Sequence, residues 1–241
     1  MQNKPNAVRI PVDGAVLNGD LTLQPSASGV VVFAHGSGSS RHSPRNRAVA
    51  ASLQERGLGT LLMDLLTNQE EMVDEQTRQL RFDIELLAER LVAAMGWLHL
   101  DDRTRDMKIG LFGASTGAGA ALFAAAARPQ LAQAVVSRGG RPDLAGPALA
   151  SVRCPTLLIV GEYDEQVIDL NREAMEKMAA PTRLVIVPRA THLFEEPGAI
   201  DDVARLAGDW FTEYLAPGPQ EPGSVESSMR GGSSHVTGSR A

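Results

Sequence analysis

The sequence predicts an α/β protein: one mostly parallel sheet with helices on both faces, in a single domain. Three observations carry this. Short apolar, β-branched runs such as Gly29–Ala34, Leu58–Met63 and Thr156–Val160 read as strands buried on both faces. Helical segments alternate with them from Val30 to Leu215, which implies right-handed crossovers. A strand also runs into a glycine-flanked turn and then a helix at Ile109–Ala121.

In chain order, Val8–Val12 and Asp20–Gln24 are expected as two strands joined by a turn at Asp13-Gly14, forming an antiparallel edge. After a loop at Ser26–Gly29 comes the first buried strand, Gly29–Ala34, ending in His35-Gly36-Ser37-Gly38. Ser43-Pro44 is an N-cap followed by a first-turn proline, and opens a helix to about Arg56, closed by Gly57. Leu58–Met63 is the next strand. Thr67–Gln76 reads as a polar loop carrying Glu70, Glu71, Asp74 and Glu75. Acidic residues favour a helix N-terminus, so this reads as a solvated approach to the next helix and not as a metal site. That helix is expected over Thr77–Leu98, with Leu80, Ile84, Leu87, Leu91, Met95 and Leu98 on one face.

Beyond a charged loop at Asp101–Asp106, Lys108–Phe112 is the strand feeding the glycine turn, and Ser115–Ala127 is its helix. Ala134–Ser137 is a strand, and Arg138–Pro147 a loop followed by a turn of helix. Thr156–Val160 is a strand followed by Gly161-Glu162-Tyr163-Asp164, and a helix is expected over Asp169–Ala179. Thr182–Val187 is the last strand, followed by Thr191-His192, and Ala199–Leu215 is the closing helix. Residues 1–216 make the folded domain. The stretch 217–241 is rich in Pro, Gly and Ser and reads as a disordered tail.

The chain has 241 residues and a formal net charge of −6, which favours neither nucleic acid nor an anionic membrane as partner. No stretch is apolar enough for a signal peptide or a membrane span, so the expected location is the cytoplasm. The one cysteine agrees, since no internal disulfide can form. Cys154 opens a strand and reads as a structural residue.

The chemistry gathers at the strand ends. Ser115 lies at the apex of Gly113-Ala114-Ser115-Thr116-Gly117, a strand–turn–helix with near side-chain-free residues two before and two after the serine. A serine hydroxyl is a poor nucleophile until a base takes its proton, and histidine suits that task near neutral pH. His192 follows the last strand, and Asp164 follows the one before it. A carboxylate on the far ring nitrogen fixes the tautomer and stabilises the imidazolium. The backbone N–H groups of Thr116 and Ser37 are the candidate oxyanion donors. Asp143 is the alternative acid, and His35 the alternative base. Arg138 and Arg141 follow the Ala134 strand and are candidate ligands for a substrate carboxylate. Arg41, Arg45 and Arg47 follow the oxyanion loop.

These motifs, in this order, resemble the α/β-hydrolases, and are most similar to the dienelactone hydrolase-like branch. The resemblance covers about Val30 to Leu215. It implies the α/β-hydrolase fold with little or no cap, since the short span from Arg138 to Thr156 cannot hold a large one. It also implies acyl-enzyme chemistry without metal or organic cofactor, on a small-molecule ester. One departure stands out. Dienelactone hydrolases resemble this pattern with cysteine as nucleophile, whereas this chain carries Ser115, which favours a serine esterase. Thioesterase or lactonase activity, and a non-catalytic ligand-binding module, are the alternatives. Oligomeric state is not legible in the sequence.

Overall fold

The computed structural model describes residues 4–25 and 27–216. The expected tail, 217–241, lies outside the described residues, as does Ser26 within the expected 26–29 loop. Eight strands form one sheet: β1 (Asn6–Val12), β2 (Ala15–Thr22), β3 (Gly29–Ala34), β4 (Gly59–Met63), β5 (Lys108–Ala114), β6 (Ala132–Arg138), β7 (Thr156–Gly161) and β8 (Thr182–Val187). Their order across the sheet is β1-β2-β4-β3-β5-β6-β7-β8. The β1–β2 and β2–β4 pairs are antiparallel, and every pair from β4 to β8 is parallel. The edge hairpin is tighter than expected. Val12 pairs with Ala15 directly across Asp13-Gly14, so β2 begins at once and not at Asp20. Gly14 has φ 65°, which a two-residue hairpin turn requires.

The described residues form six α-helices: α1 (Pro44–Glu55), α2 (Asn68–Thr77), α3 (Ile84–Leu100), α4 (Thr116–Ala127), α5 (Glu165–Lys177) and α6 (Ala199–Leu215). One face is packed by α1 and α6, whose Val49, Leu53, Val203 and Phe211 meet Val31, Phe33, Phe112 and Val136. The other is packed by α3 and α4, whose Leu91, Met95, Ala121 and Leu122 meet Val30, Val32, Leu111 and Val135. The central strands β3 and β4 are buried along their whole length, as their unbroken apolar runs require.

The acidic segment after β4 corrects the sequence reading. Thr67–Gln76 is not a loop leading into one long helix. It is a helix of its own, α2, opened by a capping box in which Thr67 Oγ1 accepts the Glu70 N–H and the Glu70 carboxylate accepts the Thr67 N–H. Arg78 ends it at φ 56°, a 3-10 turn follows at Leu80–Phe82, and Asp83 caps the start of α3. Between β6 and β7 the expected turn of helix begins earlier, inside the expected loop, as 3-10 turns over Pro142–Ser151. This span holds no large cap. Helix α5 starts at Glu165, directly after Asp164.

Candidate active site

Ser115 stands between β5 and α4 with φ 51° and ψ −121°, a conformation rare for a residue with a Cβ. Packing holds it there. Its N–H donates to Arg138 O at 3.2 Å, and its C=O accepts the N–H of Ala118 at 3.0 Å and of Arg141 at 3.1 Å. The flanking glycines are steric necessities. A Cβ on Gly113 would lie 2.4 Å from the Ala118 Cα, and one on Gly117 would lie 2.5 Å from the carbonyl oxygens of Ala34 and His35.

The other two groups come from the ends of β7 and β8. Asp164 occupies the cap position of α5, yet its carboxylate does not cap that helix. It accepts instead from His192 Nδ1 at 2.6 Å. That fixes the proton on Nδ1 and leaves Nε2 as an acceptor facing the Ser115 Oγ at 3.3 Å. His192 sits on the loop after β8. The Thr191 N–H donates to Glu196 Oε2 at 3.1 Å, the Phe194 N–H donates to Thr191 O at 3.2 Å, and the Phe194 ring is buried beneath the loop. Hydrogen bonds from Thr191, and from the backbone N–H groups of Glu196 and Glu195, hold the Glu196 carboxyl below its ordinary range.

The two expected oxyanion donors are brought together, with one feature the sequence did not show. The Ser37 N–H donates to the Thr116 side-chain oxygen at 2.9 Å. Thr116 therefore ties the loop after β3 to the elbow helix. His35 shapes the same loop. Its Nδ1 donates to Gly36 O at 2.9 Å, and its Nε2 accepts the Leu65 N–H at 3.2 Å, so both ring nitrogens are engaged away from Ser115. Burial holds the His35 imidazole below the usual histidine range, against smaller opposing effects of the Gly36 carbonyl and the Asp64 charge.

The arginines separate. Arg141 forks onto Asp143 at 2.8 and 2.7 Å, which engages the alternative acid as well. Arg41 pairs with Asp64, Arg47 with Asp20, and Arg45 with Glu195. Arg138 is buried at the end of β6, with its guanidinium carbon 5.9 Å from the centre of the Phe194 ring. Cys154 is buried and its thiol is pushed up to about 11 by that burial, which keeps it protonated and unreactive.

A cavity of about 180 Å³ opens beside the loop after β3, walled by Ser37, Thr116, Leu65, Leu66, Asp74 and Arg81. Helix α2 and the 3-10 turn after it supply the far wall. Asp74 is buried and accepts the Arg81 backbone N–H at 3.0 Å and its Nε at 2.5 Å. Burial alone would raise the Asp74 carboxyl, but the bonds and charge of Arg81 hold it below its ordinary range. This wall was invisible in the sequence, because the link between Asp74 and Arg81 crosses a helix end that no local pattern announced. Among the described residues, no group of three or more His, Cys, Asp or Glu is placed to hold a metal ion, and no helix is long and apolar enough to cross a membrane.

Comparison with known proteins places this architecture. The model of the Dienelactone hydrolase family matches residues 18–215. A solved structure of a dienelactone hydrolase from Anabaena variabilis is 59% identical, covers 89% of this chain and 100% of its own, and superposes with a TM-score of 0.88. Est1E from Butyrivibrio proteoclasticus shares the fold at 16% identity, with a TM-score of 0.73 over 88% of this chain and 99% of its own. A Mycobacterium tuberculosis protein named "Putative phosphoribosyl transferase" is 56% identical over 202 residues, which are 83% of this chain and 45% of that protein. This chain thus spans about half the length of the curated relatives it matches. A family match that runs from β2 to the end of α6, with a full-length relative of the same fold, settles the assignment: the chain belongs to the dienelactone hydrolase family.

Proposed function

We propose that this domain is a serine acyl hydrolase, with small to medium carboxylic esters as substrates. The observation that carries the reading is the continuous relay from Ser115 Oγ to His192 Nε2 at 3.3 Å and from His192 Nδ1 to Asp164 at 2.6 Å. The nucleophile sits on a strained turn that presents its hydroxyl to the imidazole. Ser115 attacks the ester carbonyl as His192 takes its proton, and Asp164 stabilises the imidazolium so formed. The backbone N–H groups of Thr116 and Ser37 receive the developing oxyanion, for which Ser37 must release the Thr116 hydroxyl. His192 then protonates the leaving alkoxide, and an attacking water passes its proton to His192 to free the acid. No cofactor enters this scheme.

Esterase neighbours of the same fold, such as Est1E, are consistent with ester substrates but share too little sequence to carry more than the fold. A thioester or lactone would react through the same groups. The transferase name belongs to relatives more than twice as long as the matched segment. The loop His35–Ser40 lacks the Gly-Lys-Ser/Thr ending of a phosphate-cradling loop.

A fluorophosphonate probe tests the reading directly. Ser115 is expected to be labelled, and labelling is expected to collapse in His192→Ala. Labelling elsewhere, or labelling indifferent to His192→Ala, refutes the assignment and favours a non-catalytic module. A series of p-nitrophenyl esters from acetate to decanoate then sets the acyl preference.

A further inference from the structure

Arg138 ends β6 and continues the alternation of Ala134 and Val136, so its side chain lies on the face of the sheet covered by α1 and α6. It is 7% exposed, and its Nε is buried with no hydrogen-bond partner. The Phe194 ring lies against its guanidinium. The nearby charge is a second guanidinium. Arg45, at the start of α1, also has a buried Nε without a partner, and its Nη1 donates to Glu195 at 3.0 Å. Burial, with the Arg45 charge added, pushes Arg138 down to about 10, so it stays cationic at neutral pH.

Arg45 has the exposed Glu195, while among the described residues no carboxylate pairs with Arg138, which lies against Phe194 of the loop that carries His192. Other arginines with a buried, unpartnered Nε do not present this imbalance: Arg41 has Asp64 and Arg90 has Glu70. A buried charge without a counter-charge is strongly unfavourable, and an apolar residue of similar size would fill the space without that cost. Phe194 contacts Arg138 and the next residue, Glu195, holds Arg45, so one loop brings both guanidiniums to it, and their unpartnered N–H groups are donors suited to a planar or tetrahedral oxyanion.

We propose that Arg138 and Arg45 together form a binding site for a small oxyanion, a carboxylate or phosphate group, against the His192 loop. The anion neutralises the excess charge and bonds the free fork edges, while Phe194 holds the plane of Arg138. It is either a free ion or a group carried by the substrate. Only the second source rests on the acyl-hydrolase reading.

Thermal unfolding of the full chain with sodium phosphate or acetate, against chloride at equal ionic strength, tests the site. The wild-type midpoint is expected to rise by about 3–6 °C at phosphate ten times its dissociation constant. Arg138→Met and Arg45→Met are each expected to lose most of that rise. The Arg45 side chain is partly exposed, so this variant keeps the test valid if Arg138→Met folds poorly. In parallel, kcat/KM is compared for p-nitrophenyl hydrogen succinate and p-nitrophenyl butyrate. A loss of tenfold or more confined to the anionic ester assigns the anion to the substrate. A lost thermal rise with equal effects on both esters assigns it to a free ion. A rise that persists in both variants, or no rise together with equal effects on both esters, overturns the proposal. The thermal readout needs no turnover, so it stands even if the hydrolase reading fails.

Discussion

Residue by residue, the site depends on groups whose alternatives are already satisfied. Thr116 is the clearest case. Its hydroxyl holds the Ser37 N–H in the free protein, so Thr116→Val keeps the β-branched shape and leaves that N–H unpaired. Ser37 is exposed, so water can take its N–H, and unfolding in urea is expected to show a loss of only about 0.5–1.5 kcal/mol. Turnover is expected to fall by much less than the roughly 10²–10³ that follows removal of a true oxyanion donor, because both backbone N–H groups survive. His35 gives a pH dependence. Its folded pKa lies below the ordinary value of 6.5, so the unfolded chain takes up the proton first. The stability it contributes is complete above about pH 6.5 and is lost as pH falls toward the folded pKa, at up to about 1.4 kcal/mol per pH unit. His35→Gln keeps an acceptor for the Leu65 N–H without a titrating ring. Denaturant titrations from pH 7.5 to 5 are expected to give a shallower slope for this variant than for wild type.

Elements set how these residues meet. The elbow between β5 and α4 works only because the chain packs without side chains on either side of Ser115. Gly117→Ala drives a methyl onto backbone oxygens of Ala34 and His35 that cannot swing away. A loss of about 3 kcal/mol or more is expected, near the upper end of overpacking costs, read as a fall in the urea midpoint at unchanged m-value. This element was legible from residue types alone, because the requirement for glycine is local. Helix α2 was not. Thr67 and Glu70 do form a capping box, but the acidic run around them reads equally well as a solvated loop. What settles the segment is Arg81 returning to Asp74, a contact across the helix end. The start of α5 was misread in a smaller way, at Asp169 instead of Glu165. The helix begins directly after Asp164, whose carboxylate serves His192 and leaves the helix without a side-chain cap.

At the level of the whole molecule, the sheet brings three strand ends to one rim. β5 leads to Ser115, β7 to Asp164 and β8 to His192, while β3 leads to the loop that carries Ser37. The described core closes at α6. Leu215 is fully buried, a Cβ on Gly29 would lie 2.7 Å from the Leu215 Cβ, and Lys108 Nζ donates to the Ala216 carbonyl at 2.5 Å. A chain ending at Ala216 is therefore expected to unfold at the same thermal midpoint as the full 241 residues. A lower midpoint would show that residues 217–241 contribute to the fold.

The sequence by itself determined the strand–helix alternation, the elbow and the identity and order of Ser115, Asp164 and His192. Those features rest on local sterics, on burial patterns and on residue types that few other tasks require. Only the tertiary structure decided the pairings among charged and polar groups. It bound Arg141 to Asp143, drew Arg81 to Asp74, set Ser37 against the Thr116 hydroxyl and left Arg138 beside Arg45 without a carboxylate. A charged side chain can reach several partners of similar energy, and proximity across the sheet selects among them. No spacing along the chain encodes that choice.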